Sequence, residues 1–171
     1  MIVAATEAHP IREGWPMRIR AARPEDLPAL FALVDRYARR GLLLPRSAEE
    51  IAATLAEWVV AEEDGRVVGC GSLVWMSLAL VEIRSLAVEE SLQGNGVGGA
   101  LVRALVARAR AAGARTVFAL TRAVAFFERQ GFRVTDRERF PEKVWRDCVR
   151  CPLRDRCDEV AVAMRLDAEG S

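Results

Sequence analysis

Lysine, histidine and tyrosine are almost missing from this sequence of 171 residues, which holds one of each: Lys143, His9 and Tyr37. His9 lies in an N-terminal stretch without hydrophobic periodicity, so a catalytic histidine is not expected, and neither is a Ser–His or Cys–His nucleophile pair. No apolar run approaches the ~20 residues of a membrane span, and the N-terminus lacks the basic and then apolar pattern of a secretory signal. We therefore expect a cytoplasmic protein with no membrane partner.

The charge balance is close to neutral. The chain has 25 basic and 24 acidic residues and a net charge of +1, so no charge surplus points to a nucleic acid partner. Hydrophobic residues make up 51% of the chain, which favours a folded protein over a disordered one, and the length suits one domain. Residues 1–16 have no period and are predicted to be a poorly ordered extension, whereas residues 17–171 are predicted to form a single domain.

Hydrophobic spacing over residues 17–166 predicts the element order β-α-α-β-β-β-α-β-α-β-β. Residues 47–50 form a capping box ahead of the second helix, and residues 63–65 form a tight turn between two strands. The strand 66–75 is rich in small residues, which suggests that another element packs closely over it. The pattern predicts an α+β fold with a mixed, mostly antiparallel central sheet, helices on both faces, and one parallel crossover around the helix 94–112.

The sharpest feature is a glycine-rich turn, Gln93-Gly-Asn-Gly-Val-Gly-Gly99, which joins a strand to a helix. Successive backbone N–H groups and the positive end of the helix dipole suit such a turn to binding phosphate. The turn is not a P-loop, which needs Gly-Lys-Ser/Thr, and its glycine spacing does not fit the dinucleotide-binding fingerprint.

Two motifs together resemble the GNAT superfamily of N-acetyltransferases. Gln93-x-x-Gly96-x-Gly98 follows a strand that ends Leu86-Ala-Val88, as in the superfamily's acetyl-CoA pyrophosphate loop, and residues 125–132 (AFFERQGF) are similar to its "FYxxxGF" segment. The resemblance implies the GNAT fold and acetyl-CoA as co-substrate. The residues that it implies for binding acetyl-CoA are Leu86, Ala87, Val88, Gln93, Gly94, Asn95, Gly96, Val97, Gly98, Gly99, Phe127 and Arg129.

The resemblance also assigns these residues their parts. The backbone of residues 86–88 would bind the pantetheine arm as an added strand, and the amides of residues 94–99 would hold the pyrophosphate. Phe127 and Arg129 would line the exit near the CoA thiol and phosphates.

The implied reaction is direct attack of an amine on the acetyl thioester, and an ammonium group must lose a proton before it can attack. Glu82 is the candidate base, because it lies on the strand that leads into the cofactor site; the alternative is a strand glutamate paired with an arginine such as Arg84. The backbone N–H of Leu86 is the implied donor to the thioester oxygen. The tyrosine that often protonates the leaving thiolate in this superfamily is replaced by Phe127, which leaves the general acid unassigned.

Three further segments are similar to the short, stand-alone bacterial N-acetylglutamate synthases of arginine biosynthesis: residues 40–46 (RGLLLPR), residues 82–88 (EIRSLAV), and residues 140–159 with their "FPEKVW" and "CxxC…CDE" stretches. This resemblance implies L-glutamate as the acceptor. Two carboxylates need cationic partners, and the candidates are Arg84, Lys143, Arg46 and Arg122. GNAT domains often pair, which adds a homodimer to the expectations.

The three cysteines of the last segment raise a metal question. Cys148, Cys151 and Cys157 lie close together in sequence, but structural zinc sites usually need four ligands, so no metal is expected. The cysteines are predicted to pack a turn, or Cys148 and Cys151 to form a disulfide under oxidation. Three rival functions stay open at this point: a GNAT enzyme for another amine (a peptide N-terminus, a polyamine or an aminoglycoside), a non-catalytic acyl-CoA sensor, and a zinc-type interaction module.

Overall fold

The computed structural model describes residues 14–166 of the chain, with Val144 and Trp145 described by their backbone alone. The strands are β1 (Met17–Ala21), β2 (Trp58–Glu63), β3 (Arg66–Trp75), β4 (Leu80–Val88), β5 (Thr116–Thr121), β6 (Arg133–Thr135) and β7 (Val160–Arg165). The α-helices are α1 (Leu27–Arg39), α2 (Ala48–Ala53), α3 (Val97–Ala111), α4 (Val124–Arg129) and α5 (Pro141–Arg146). The predicted element order is confirmed, with α5 as an additional short helix between β6 and β7.

The seven strands form one sheet in the order β1-β2-β3-β4-β5-β7-β6. Every neighbouring pair is antiparallel except β4 and β5, which run parallel and are joined by the crossover helix α3. One face of the sheet packs against α1 and α2, and the other face packs against α3. The predicted α+β class, the mixed and mostly antiparallel sheet, and the helices on both faces are therefore confirmed.

Local sequence explains where two of the elements begin and turn. The Ser47 hydroxyl accepts a hydrogen bond from the Glu50 backbone N–H at 3.1 Å, and the Glu50 carboxylate accepts one from the Ser47 N–H at 2.7 Å, so the predicted capping box starts α2. Asp64 and Gly65 both have positive φ, of 48° and 78°, which is the backbone that a two-residue hairpin turn needs between β2 and β3.

The small residues of β3 allow α3 to lie close to the sheet. A Cβ atom at Gly71 would lie 2.8 Å from Leu105 Cδ1, and one at Gly69 would lie 3.1 Å from Leu101 Cδ1. Neither distance is a normal contact for a methyl group, so a larger residue at either position would require these leucine side chains to move. The close-packed partner predicted over this strand is α3.

A β-bulge in β4 decides which of its side chains reach the functional face. Cys70 pairs with Ala87 but Ser72 pairs with Arg84, so one residue of β3 faces two residues of β4. Ser85 within this bulge has a left-handed backbone, with φ of 53°. The extra residue reverses the in-and-out alternation, so Leu86 joins the core beneath α3, whereas Glu82 points to the opposite face of the sheet.

The N-terminal extension predicted for residues 1–16 falls mostly on residues 1–13, which lie outside the described part of the chain, as does His9. Trp15 packs against the core on the α3 side, and its indole N–H donates a hydrogen bond to Glu63. Within residues 14–166, no helix is both long and apolar enough to cross a membrane.

Candidate active site

The sheet opens in its centre, where β4 and β5 separate. The two strands pair only from Leu80 to Glu82 on β4 and from Thr116 to Phe118 on β5. Beyond Glu82, residues 83–88 of β4 have no strand partner on the β5 side among the residues that the structure describes. An extended ligand could add to such an edge by backbone hydrogen bonds. This is the stretch that contains Leu86, Ala87 and Val88.

The glycine-rich turn lies directly after this open edge. Gly94 and Gly96 have left-handed backbones, with φ of 79° and 85°, and α3 begins at Val97 with no acidic residue in its first turn. The positive end of the dipole of a 15-residue helix is therefore not neutralised by nearby carboxylates. Gly98 and Gly99 are buried in this first turn. Such an arrangement suits phosphate binding, the role expected of residues 94–99 from the sequence.

Three side chains brace the turn from within the protein. Tyr37 on α1 donates a hydrogen bond from its hydroxyl to the Val88 carbonyl. The Gln93 side-chain amide donates to the Tyr37 hydroxyl at 2.9 Å and to the same Val88 carbonyl at 3.2 Å, and Asn95 donates to the Leu92 carbonyl at 3.3 Å. The side chains of Gln93 and Asn95 are thus turned back toward the protein. The Gln93 backbone N–H donates to the Glu90 carbonyl at 3.3 Å, so the backbone amide of Asn95, and not that of Gln93, is suited to a ligand.

Phe127 is placed in the core. Its ring is 0% exposed and makes edge-to-face contacts with Phe126 and Phe132, at centroid distances of 5.1 Å in both cases. In this conformation the ring has no exposed surface that a thiol could contact. Phe127 therefore packs α4 against the core and does not line the exit near the CoA thiol. Arg129, at the end of α4, is exposed.

Four charged side chains form a compact network on the face of β4 opposite to α3. Glu82, Arg84 and Lys143 are 1%, 5% and 4% exposed. One Glu82 oxygen accepts hydrogen bonds from Arg84, at 2.9 Å from Nε and 2.6 Å from Nη2, and the other lies 3.0 Å from Lys143 Nζ. Asp147 closes the network, because its Oδ2 atom contacts both Arg84 Nη2 and Lys143 Nζ, the latter at 3.1 Å. We call these four residues the charged quartet.

The quartet connects two predicted candidates for acceptor binding, Arg84 and Lys143, with the predicted base, Glu82. Glu82 also forms an ion pair with Arg84, which was the alternative to its role as the base. Burial would raise the pKa of Asp147, but the positive charges of Lys143 and Arg84 outweigh burial and hold that pKa below its usual value. Asp147 is therefore expected to be charged near neutral pH, and the quartet pairs two basic side chains with two acidic ones.

A cavity of about 250 Å³ lies beside Arg84, between α2 and strands β2 to β4. Its charged lining consists of three arginines and two glutamates: Arg46, Arg84, Arg146, Glu50 and Glu57. Burial raises the pKa of Glu57, and the three arginines act against that rise. The cavity is partly enclosed and its charged lining is cationic on balance, so it suits a small anionic ligand.

Arg46 is the cation of this cavity that has no direct partner among the described residues. It is half-buried, and it makes no hydrogen bond or ion pair with any of the residues that the structure describes. Burial, and after it the positive charge of Arg84, lower the pKa of Arg46 below its usual value. Since burial disfavours a cation without a direct partner, a negatively charged ligand in the cavity could pair with Arg46.

Arg122 lies outside this cavity. Its guanidinium contacts Asp158 at 2.5 Å and the Gly41 carbonyl at 3.5 Å. It lines a second and smaller cavity of about 50 Å³, which Lys143, Asp147 and the three cysteines of the last segment also line. The structure therefore places Arg84 and Lys143 within the quartet and Arg46 in the cavity beside Arg84. Arg122 lines the other cavity, next to Lys143 and Asp147.

The cysteine segment packs on β5 and β7. Phe118 and Phe140 stack with their centroids 4.1 Å apart, and Cys148 packs against this aromatic pair, while Cys157 accepts a hydrogen bond from Arg137 at 3.2 Å. All four cysteines are free thiols, and burial raises the pKa of Cys70 to about 12. Among the described residues, no group of three or more His, Cys, Asp or Glu side chains is arranged to hold a metal ion.

Four charged residues of the site were not found from the sequence: Glu50, Glu57, Arg146 and Asp147. Asp147 and Arg146 lie at the end of α5, a helix that was not predicted. The spacing of Lys143 and Asp147 was the available signal, because residues four apart on a helix lie on one face and can pair.

Comparison with known proteins gives a consistent set of similarities. The model of the acetyltransferase (GNAT) family matches residues 24–132. An uncharacterized N-acetyltransferase of Chlorobaculum tepidum is 39% identical over 148 residues, covering 86% of this chain and 96% of that protein. An amino-acid acetyltransferase of Mycobacterium tuberculosis is 40% identical over 116 residues, covering 67% of each chain.

Among solved structures, N-acetylglutamate synthase from Neisseria gonorrhoeae, complexed with coenzyme A and N-acetyl-glutamate, superposes with a TM-score of 0.78 at 28% identity. The match covers 92% of this chain but 36% of the Neisseria chain, so the two proteins share one domain of the larger enzyme.

Proposed function

The chain belongs to the GNAT family of acetyltransferases, and from this premise we propose that it transfers the acetyl group of acetyl-CoA to the amine of L-glutamate, the first step of arginine biosynthesis. The observation that carries the acceptor assignment is Arg46, a half-buried cation without a hydrogen-bonding or ion-pairing partner among the described residues, in a cavity shared with Arg84. Names of relatives support the same reading, since a similar protein of M. tuberculosis is called an amino-acid acetyltransferase.

We propose that acetyl-CoA binds along the open edge of β4. An extended pantetheine arm can hydrogen-bond to the backbone of residues 86–88, and its pyrophosphate can bind the amides of residues 94–99 at the start of α3. The separation of β4 and β5 beyond Glu82 gives the arm room to enter the sheet. The thioester would then lie near Leu86, whose backbone N–H we propose as the donor to the developing oxyanion.

L-Glutamate brings two carboxylates, and the site offers two separate cationic positions for them. Arg46 is available in the cavity, and Arg84 with Lys143 forms a buried cation pair beside it. Guanidinium groups bind carboxylates by paired, charge-assisted hydrogen bonds. A cationic acceptor such as a polyamine or an aminoglycoside has no carboxylate to pair with Arg46, so the lining favours a dicarboxylic amino acid.

The reaction follows from these positions. The amine nitrogen forms a bond to the thioester carbon, the carbon–sulfur bond breaks, and CoA leaves as a thiolate that takes up a proton. The ammonium group of glutamate must give up a proton before attack, and we propose Glu82 as its acceptor, acting through water. Both Glu82 oxygens contact cations of the quartet, so its role as base requires its own test.

The acceptor assignment is tested by measuring thiol release from acetyl-CoA with L-glutamate, L-glutamine, L-aspartate and a generic peptide as separate acceptors. We expect the highest kcat/KM with L-glutamate. Turnover with the peptide alone would overturn the acceptor assignment. Tight acetyl-CoA binding without turnover of any acceptor would favour an acyl-CoA sensor. A cytoplasmic homodimer also remains a proposal, and light scattering after size-exclusion chromatography tests its oligomeric part.

A further inference from the structure

Asp147 is the one member of the charged quartet that reaches solvent. Its side chain is 23% exposed, whereas Glu82, Arg84 and Lys143 are almost completely buried. Its Oδ2 atom lies between Arg84 Nη2 and Lys143 Nζ, so a single carboxylate oxygen serves both cations. These are the two cations that the proposed function assigns to a substrate carboxylate.

We infer that Asp147 is an internal substitute for a carboxylate of the acceptor: it neutralises the Arg84–Lys143 pair while no acceptor is bound, and an acceptor carboxylate displaces it. The inference rests on the proposed function, because it takes the acceptor to be a dicarboxylic amino acid. It adds a residue that sets the acceptor's KM.

Charge balance favours exchange over simple addition. The quartet holds two cations and two carboxylates, so it is neutral. A substrate carboxylate that joined all four would leave a net negative charge in a largely buried site, which is costly. If Asp147 swings into solvent as the substrate carboxylate arrives, the buried site stays neutral and both cations keep a partner.

The backbone around Asp147 can permit this movement. Asp147 follows the last residue of α5, with φ of −120° and ψ of −45°, and short 3₁₀ turns follow it. Between residues 137 and 159, Phe140 and Lys143 are the buried side chains, leaving aside positions 144 and 145, whose side chains are not described. Because few apolar contacts fasten the segment after α5, a change of the Asp147 rotamer disturbs little packing.

The exchange would also select among acceptors. An acceptor without a carboxylate, such as a peptide amide or a polyamine, has no group that can replace Asp147 between two cations. Such a ligand leaves the quartet closed. Asp147 therefore makes the site selective, because an acceptor with a carboxylate can displace it and other amines cannot.

The test compares wild type with Asp147→Asn and with Asp155→Asn, a matched control at an exposed acid of the same segment. With saturating acetyl-CoA, we expect Asp147→Asn to lower the KM for L-glutamate by about five-fold, the size of one competing, partly exposed ion pair. The KM for acetyl-CoA should stay the same, and Asp155→Asn should match wild type. A raised or unchanged KM for L-glutamate would overturn the inference, because a residue that merely positions Arg84 and Lys143 gives that result.

A binding measurement separates this inference from the proposed function. Glutarate, a dicarboxylate without an amine, is added at matched ionic strength, and the thermal midpoint is followed. We expect glutarate to raise the midpoint of Asp147→Asn more than that of wild type, whether or not glutamate is turned over. Equal shifts would overturn the inference. So would an Asp147→Asn and an Asp147→Ser variant that both stay unfolded with glutarate present, because a contact that the ligand displaces must be dispensable once the ligand is bound.

Discussion

Replacing Arg46 separates ligand binding from fold stability in this protein. Most arginines that bind a substrate also hold part of the structure, so their loss has two effects. Arg46 has no hydrogen bond or ion pair to lose within residues 14–166, and burial and Arg84 already disfavour its charge. We therefore expect Arg46→Gln to leave the thermal midpoint unchanged or slightly raised while acceptor binding weakens.

The expected size of the binding loss follows from the contact that is removed. A hydrogen bond between charged groups contributes about 1.5–3 kcal/mol, which corresponds to about 10- to 150-fold in affinity. Because Arg46 is half-buried and not fully enclosed, solvent screening favours the lower end, an increase of about ten-fold in the KM for L-glutamate. The KM for acetyl-CoA should not change.

The assay is steady-state thiol release at saturating acetyl-CoA with L-glutamate varied, accompanied by thermal unfolding of each variant. Arg110→Gln is the matched control, since Arg110 is exposed on α3 on the other side of the sheet. Arg46→Lys should recover part of the loss, because it keeps the charge but not the planar fork. An unchanged KM for L-glutamate in Arg46→Gln, with wild-type stability, would refute the assignment of this cavity to the acceptor.

Three further predictions concern catalysis, packing and pH. Glu82→Gln should lower kcat by about 10²–10⁴-fold with the KM for acetyl-CoA retained. A wild-type kcat in this variant would show that Glu82 is not the base and that its role is limited to its ion pairs. Gly71→Ala should lower the free energy of unfolding by about 1–3 kcal/mol in urea titrations, because its Cβ would lie 2.8 Å from Leu105 Cδ1. Hydrogen bonds from Arg20 hold the pKa of Asp26 below its ordinary 3.8, so Asp26 should stabilise the fold at neutral pH and lose this effect as the pH falls below about 3.8. An Asp26→Asn variant should therefore be less stable than wild type at pH 7, and a stability gap that does not shrink between pH 5 and pH 2 would contradict this explanation.

Sequence patterns predicted the sheet well because its strands have strong local signals. The bounds of β3 match the predicted range 66–75, with the turn at Gly65 marking its start, and β4 ends at Val88 as predicted. The pairing of Glu82 with Arg84 was also open to prediction from strand alternation, provided that no bulge lay between them. The bulge occurs one residue later, at Ser85.

The positions of α5 and Phe127 could not be predicted in the same way. The six residues of α5 are too few for a helical period, and the residue before them, Phe140, is not one that caps helices. Asp147 was missed with that helix, because one of its partners, Lys143, lies on the helix itself and the other, Arg84, lies on a strand 63 residues earlier in the chain. Phe127 fits a motif position by its sequence, but its contacts with Phe126 and Phe132 are decided by tertiary packing.

The near absence of lysine has a consequence for a protein that handles a reactive thioester. Amines attack acetyl-CoA, whereas guanidinium groups stay protonated and do not. The chain carries its basic surface on arginine, and its one side-chain amine, Lys143, lies buried between two carboxylates. The protein thus exposes almost no side-chain amine to its own co-substrate. This composition protects its side chains against acetylation on nitrogen.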